Sequence, residues 1–252
     1  LATQDSRQIA NQPCFSSDKK IVLIMNGEIY NHRELKKVLI KKNYKFVSNN
    51  DAEVAVNAYH FWGEKFLEKL DGQFAIFAFN TTTGNGFIAR DRHGIAPLYY
   101  CLNKNRLFFS LSPESIYKQL KLKIKISKKG FADFMVSSCL TENNTFFEQI
   151  KYLSPGNLMK FKINKSLSKP KSFLPIEEKN FSFKENGSKL VKKIGSTVYD
   201  SVKSRLSGDK KIGIFLSGGI DSVLLLSIYK KLYPKKKIKT FTAAFESDEN
   251  KK

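Results

Sequence analysis

The run Ser217-Gly218-Gly219-Ile220-Asp221-Ser222 holds the residue types that a phosphate seat requires. It stands between an apolar, β-branched stretch at residues 212–216 and a helix-like stretch at 223–233. That composition predicts strand, turn, helix. Two glycines let the backbone coil until successive N–H groups face one concavity. The helix start adds unpaired N–H groups and a partial positive charge. Asp221 stands where a carboxylate would hold a divalent cation against the same phosphates. The reading is nucleotide-dependent chemistry.

A second constellation, Asn26-Gly27-Glu28-Ile29-Tyr30-Asn31-His32, follows the apolar residues 21–25. An Asn carboxamide and a Gly N–H at a strand end can aim at one point, as an oxyanion requires. Glu28 and Asp51 are carboxylates able to hold an ammonium group. The same residues also read as a tight turn in which Asn-Gly supplies positive φ. Residue types alone leave both readings open.

The elements that must position these residues follow from periodicity. Residues 21–25 read as a buried strand, and 31–42 as a helix with Leu35, Val38 and Leu39 on one face. Asp51 reads as the N-cap of a helix carrying Val54, Ala55, Ala58, Tyr59 and Trp62. Residues 74–79 alternate large with small, and a turn at 81–86 leads into a partner strand at 87–90. Residues 98–102 and 107–110 form a hairpin around Asn103-Lys104-Asn105, Ser127 caps a helix through Val136, and 158–163 read as a strand. Periodicity fails over 165–187, which reads as a linker. It returns at 188–206 with Leu190, Ile194, Val198 and Val202 in register, and a strand at 239–245 completes a βαβ unit and implies a parallel sheet. The division expected is 1–164, a linker at 165–187, and an unfinished second domain at 188–252.

Composition narrows the class. Hydrophobic residues make up 41% of the 252, enough for a core, and no apolar run approaches the ~20 residues that span a bilayer. Leu1 is not an initiator Met and no signal segment opens the chain, so the expectation is a cytoplasmic protein with its beginning removed. The net charge of +21 raises nucleic acid as a partner, yet only six of the 44 basic residues are Arg. Lysines are spread along helix faces, as in Lys36-Lys37, Lys41-Lys42 and Lys192-Lys193, so a solvated surface is expected, with neither nucleic acid nor membrane as partner. Cys14, Cys101 and Cys139 lack metal-site or disulfide spacing and read as reduced thiols in or near the core.

Taken in order, the run from Asn26 to His32, Asp51-Ala52-Glu53-Val54, Leu70-Asp71-Gly72-Gln73-Phe74-Ala75, the stretch Ala89-Arg90-Asp91-Arg92-His93-Gly94-Ile95-Ala96-Pro97-Leu98-Tyr99-Tyr100, and Leu153-Ser154-Pro155-Gly156-Asn157 resemble the glutaminase domain of the glutamine-hydrolysing asparagine synthetase family. The loop from Phe215 to Ser222 resembles the pyrophosphate loop of that family's ATP domain. The resemblance implies an α+β, N-terminal-nucleophile hydrolase-like αββα sandwich, followed by the start of an α/β parallel-sheet ATP pyrophosphatase domain. It implies that Asn26 and Gly27 form the oxyanion hole for glutamine hydrolysis, and that Glu28 and Asp51 hold the α-amino end of glutamine. It implies ATP on Leu216, Ser217, Gly218, Gly219, Ile220, Asp221, Ser222 and Ala243, with Mg²⁺ at Asp221. Aspartate or another acceptor would be the second substrate, and the intact protein a homodimer. Arg90, Asp91 and Arg92 read as a structural charge network, and neither His32 nor His93 receives a catalytic role.

The family's nucleophile is an N-terminal cysteine whose own α-amino group serves as base. The opening Leu1-Ala2-Thr3-Gln4-Asp5-Ser6-Arg7 matches a region inside the domain, and Cys14, Cys101 and Cys139 match no nucleophile position. An internal fragment, inactive toward glutamine by itself, is the expectation. Three alternatives stand: a same-family amidotransferase acting on a sugar in surface polysaccharide synthesis, a non-catalytic relic, and a Lys-driven nucleic-acid binder whose affinity would fall steeply with salt.

Overall fold

The computed structural model describes residues 5, 7–104, 106–121, 123–165, 167–174, 187–206 and 211–244. Expectations resting on residues 1–4, Ser6, Asn105 and 245–252, and on much of the 165–187 stretch, lie outside them. The chain divides into two units, Leu1–Glu177 and Glu178–Lys252.

The first unit runs through strands β1 (Cys14–Phe15) and β2 (Ile21–Ile29), helices α1 (His32–Ile40), α2 (Asp51–Trp62) and α3 (Phe66–Lys69), then strands β3 (Gly72–Asn80), β4 (Asn85–Arg90), β5 (Tyr99–Asn103) and β6 (Arg106–Ser110). Helices α4 (Pro113–Leu120) and α5 (Lys128–Ser137) follow, then strands β7 (Lys151–Tyr152), β8 (Asn157–Lys162) and β9 (Lys171–Ser172). Six strands form one antiparallel sheet in the order β1-β2-β3-β4-β8-β9, and three form another in the order β6-β5-β7.

Strand alternation sorts the core into layers. Leu23, Met25, Phe74, Ile76 and Ala78 face Leu35, Leu39, Val54 and Ala58 of α1 and α2. On the opposite face Ala75, Ile88 and Met159 meet Leu98, Tyr100 and Leu153 at the second sheet. Cys101, next to Tyr100 in β5, points the other way and joins Ile116 and Tyr117 of α4. The order is helix, sheet, sheet, helix, the αββα sandwich expected. Each large apolar side chain so buried contributes about 1.5–3 kcal/mol.

The structure departs from the expected elements in places that bear on the site. Strand β2 does not stop at Met25 but runs through Asn26, Gly27 and Glu28 to Ile29, paired with β3 throughout. The N-cap of α2 is Asn50, whose Oδ1 accepts from the Ala52 N–H at 3.0 Å; Asp51 is the first helical residue. Val38 is 44% exposed while Leu35 and Leu39 are buried. Within the stretch read as linker, β9 pairs with β8 and Phe173 enters the core. Cys14 and Cys101 are buried, but Cys139 is exposed.

The second unit contains helix α6 (Gly187–Arg205), strand β10 (Gly213–Phe215), helix α7 (Ile220–Leu232) and strand β11 (Lys239–Phe241). Strands β10 and β11 are parallel, with Ile214 opposite Thr240, and α7 connects them. This is the expected βαβ unit. Helix α7 starts three residues earlier than its apolar pattern suggests, because Gly219 already has extended cap geometry (φ −72°, ψ 157°). Among the described residues no helix is long and apolar enough to cross a membrane.

Candidate functional site

Hydrogen bonding along β2 alternates between its two edges. Even-numbered residues bond β3: at the ends of the ladder the Thr81 N–H donates to Lys20 O, and the Tyr30 N–H donates to Asp71 O, both at 2.8 Å. Odd-numbered residues therefore present their N–H and C=O groups to the outer edge. The Met25 N–H donates to Gln12 Oε1 at 2.5 Å, and Gln12 Nε2 donates to Met25 O at 2.8 Å. At Ile29 the N–H donates to Asp51 Oδ2 at 2.8 Å, and the carbonyl lies 2.8 Å from His32 Nδ1. Gly27 stands midway, so its N–H is directed at the same edge, between two side-chain clasps. The Asn26-Gly27 pair expected at a strand end thus lies within a strand.

Only glycine fits there. Gly27 has φ +130°, and a Cβ would lie 2.0 Å from Gln73 O of the paired strand. Asn26 lines a cavity of about 250 Å³ with Ile24, Ala75, Phe77, Leu98 and Phe109, between the two sheets. Glu28, Gly27 and Asp51 do not line that cavity. Asp51 is joined to the run through the Ile29 N–H and lies beside His32. A larger cavity of about 1020 Å³ lies among Phe77, Phe79, Phe109 and Phe161, and no candidate residue lines it.

Asp51 is 4% exposed, and its Oδ1 also accepts from the Ala52 N–H at 3.0 Å. Burial pushes its carboxyl above the ordinary aspartate value, opposed by the Ile29 N–H and the neighbouring His32. His32 is buried and holds the Ile29 carbonyl, a positioning contact that accounts for its place in the motif.

Arg90 and Asp91 form no ion pair with each other among the described residues. Arg90 donates to Ala96 O at 2.6 Å, to Leu153 O at 2.8 Å, and to Gly94 O and the Tyr152 hydroxyl. Its guanidinium carbon lies 3.7 Å from the centroid of the Tyr152 ring. Asp91 accepts from the His93, Ile95 and Ala96 N–H groups at 3.0 Å and from Phe74 N–H at 3.3 Å. The expected charge network is instead a clasp on backbone groups that ties the 93–96 loop to β3 and to Leu153. Arg92 is exposed and outside it.

Burial holds both buried thiols away from a nucleophile's state. Burial pushes Cys14 up to about 11, with Glu53 and Asp51 adding to the rise. Cys101 is raised by burial alone.

In the second unit, the Leu216 N–H donates to Phe241 O at 2.8 Å, and Thr242 Oγ1 donates to Leu216 O at 2.7 Å, which brings the strand ends bearing Leu216 and Ala243 together. Gly218 has φ +83°, a turn that glycine adopts without cost. The Val223 N–H donates to Gly219 O, so the N–H groups of Ile220, Asp221 and Ser222 precede the first helical bond, and no side chain caps them. Ser222 Oγ donates back to Gly219 O at 2.9 Å and lies 3.3 Å from Ser217 Oγ. Asp221 is exposed in the first turn. No cluster of three or more metal-ligating side chains occurs among the described residues, so Asp221 fits Mg²⁺ only in the mode where phosphates complete the coordination.

Residues 1–173 match a family model described as glutamine amidotransferase domain, and residues 193–252 match one described as asparagine synthase. Glutamine-hydrolyzing asparagine synthetase 1 of Bacillus subtilis is 32% identical over 235 residues, 93% of this chain and 36% of the relative. A putative glutamine-hydrolyzing asparagine synthetase 2 of Methanocaldococcus jannaschii is 31% identical over 234 residues, 90% of this chain and 43% of the relative. The glutamine phosphoribosylpyrophosphate amidotransferase of B. subtilis, solved with ADP and GMP, aligns with a TM-score of 0.44 and 16% identity over 92% of this chain and 48% of that one. The chain belongs to the glutamine amidotransferase family, and its likeness to asparagine synthetases extends through both units. It spans about a third of the length of the Bacillus relatives that it matches.

Proposed function

We infer that these residues belong to an ATP-dependent amide ligase that takes nitrogen from glutamine and converts aspartate to asparagine. The observation that carries the reading is the direction of the Gly27 N–H, held at the open edge of β2 between the Met25–Gln12 and Ile29–Asp51 bonds. There Asn26 Nδ2 and the Gly27 N–H donate to the oxyanion that forms when a thiolate attacks the glutamine side-chain amide. Losing one such donor costs ~10²–10³ in rate. Asp51, with Glu28, holds the α-amino group. The ammonia released is the nitrogen donor.

In the second unit the N–H groups at the start of α7 hold the pyrophosphate end of ATP, with Leu216 and Ala243 against the base. Mg²⁺ held at Asp221 would neutralise phosphate charge. The acceptor carboxylate attacks the α-phosphorus of ATP to give an acyl-adenylate and pyrophosphate, and ammonia then attacks the acyl carbon and displaces AMP. The first unit is thus the glutaminase and the second the beginning of the synthetase.

The test is a product assay on the full-length protein with amide-labelled glutamine, ATP and aspartate. Labelled asparagine, AMP and pyrophosphate in equal amounts are expected. Release of ADP, or amidation of an amino-sugar precursor without use of aspartate, would replace this reading with another amidotransferase. No turnover at all would leave a relic.

A further inference from the structure

Gln12 occupies a position the register defines. Strands β1 and β2 are antiparallel, with Cys14 opposite Leu23 and Phe15 opposite Val22. The same register carried backward sets residue 12 opposite Met25. There the Gln12 carboxamide stands in for a backbone peptide: it offers the donor and acceptor of a peptide group, and closes both bonds with Met25, at 2.8 and 2.5 Å.

Those bonds fix the last paired residue before the oxyanion donor. Met25 and Gly27 point their amides to the same edge, and Asn26, between them, lines the cavity. On the far side Asp51 fixes Ile29. The segment that bears Gln12 also reaches that second clasp. Asn50 Nδ2 donates to Ala10 O, while Asn50 Oδ1 caps α2 beside Asp51. The Asn49 N–H donates to the Asp5 carboxylate at 2.9 Å.

We propose that Gln12 is a positioning residue for glutamine hydrolysis, which acts through Met25 to set the direction of the Gly27 N–H, and that residues 7–12 couple this clasp to the one at Asp51. The proposal rests on the oxyanion role given above to Asn26 and Gly27. Gln12 touches neither substrate nor reacting atoms, so its loss misaligns a donor and does not remove one.

In the full-length enzyme, Gln12→Ala is expected to lower kcat for glutamine hydrolysis by ~10–10², the range that misplacement alone produces. KM for glutamine stays within about twofold because Asp51 is untouched, and synthesis from ammonium stays at the wild-type rate. Gln12→Glu keeps the acceptor and the volume while removing the donor, and is expected to lose kcat as well. It replaces the Ala variant should that one lack a thermal unfolding transition. An equal loss with glutamine and ammonium, a rise in KM without a fall in kcat, or no change overturns the proposal.

Amide exchange by nuclear magnetic resonance on this chain decides the same question without turnover. Met25 N–H is expected to be protected in the wild type and to exchange at least tenfold faster in Gln12→Ala, with the Gly27 amide resonance displaced. An unmoved Gly27 resonance overturns the proposal. A wild-type enzyme that never hydrolyses glutamine would sink the functional reading and leave this measurement to judge the clasp.

Discussion

The Asp51 carboxyl sits in surroundings that oppose its charge. Burial raises it above the ordinary aspartate value, and the backbone N–H groups of Ile29 and Ala52 recover only part of the cost. Between the ordinary value and the raised one, the folded chain keeps a proton that the unfolded chain releases. Stability contributed by this residue is therefore present below the ordinary value and is lost as pH rises through the raised one. Ligand binding has the opposite sign, since an ammonium group needs the ionised carboxylate. Glutamine affinity should fall on acidification at a higher pH than an ordinary aspartate would allow, and Asp51→Asn should weaken binding at neutral pH and flatten that dependence. Calorimetric titration down from neutral pH, on both forms, checks it; an acid limb identical in the two would remove Asp51 from amine recognition.

At the scale of elements, the start of α2 shows how capping and site geometry are one feature. The Asn50 side chain accepts from Ala52 and donates to Ala10, so Asn50→Ala should cost about 1 kcal/mol through the lost cap alone. Urea unfolding measures that cost, and a midpoint equal to the wild type would show the cap to be idle. Here the sequence was legible in part. Asn49, Asn50 and Asp51 are all good cap residues, so their types mark a helix start without saying which one caps. Asn26-Gly27 looks like a turn by type, yet Gly27, lacking a Cβ, lets β2 pass close to the Gln73 carbonyl and continue as a strand. Apolar alternation disclosed β3 and β4, but β1 and β9 have two residues each, too few for a period to register. Helix α4 buries only Ile116 and Tyr117, which left its pattern faint. Gln12 gave no signal at all, because its role comes from standing opposite Met25.

Over the whole molecule, each candidate site is built from one unit alone: Asn26, Gly27, Glu28 and Asp51 belong to the first, and residues 216–222 with Ala243 to the second. Among the described residues, the bonds at Gln12, His32 and Asp51 close within the first unit and those at Phe241 and Thr242 within the second. A substitution in one should therefore leave the local geometry of the other intact. In the full-length protein, Asp221→Ala is expected to abolish ATP-dependent synthesis with either nitrogen source, while glutamate release from glutamine persists within about twofold of wild type. Asn26→Ala is expected to cut glutamine-dependent synthesis by ~10²–10³ and to spare synthesis from ammonium. Glutamate, pyrophosphate and the amidated product are measured in parallel with each nitrogen source. A folded Asp221→Ala protein that loses both activities, or an Asn26→Ala protein equally impaired with glutamine and ammonium, would contradict the assignment of one chemistry to each unit. Coupling between the two activities would then have to be sought in residues that neither constellation contains.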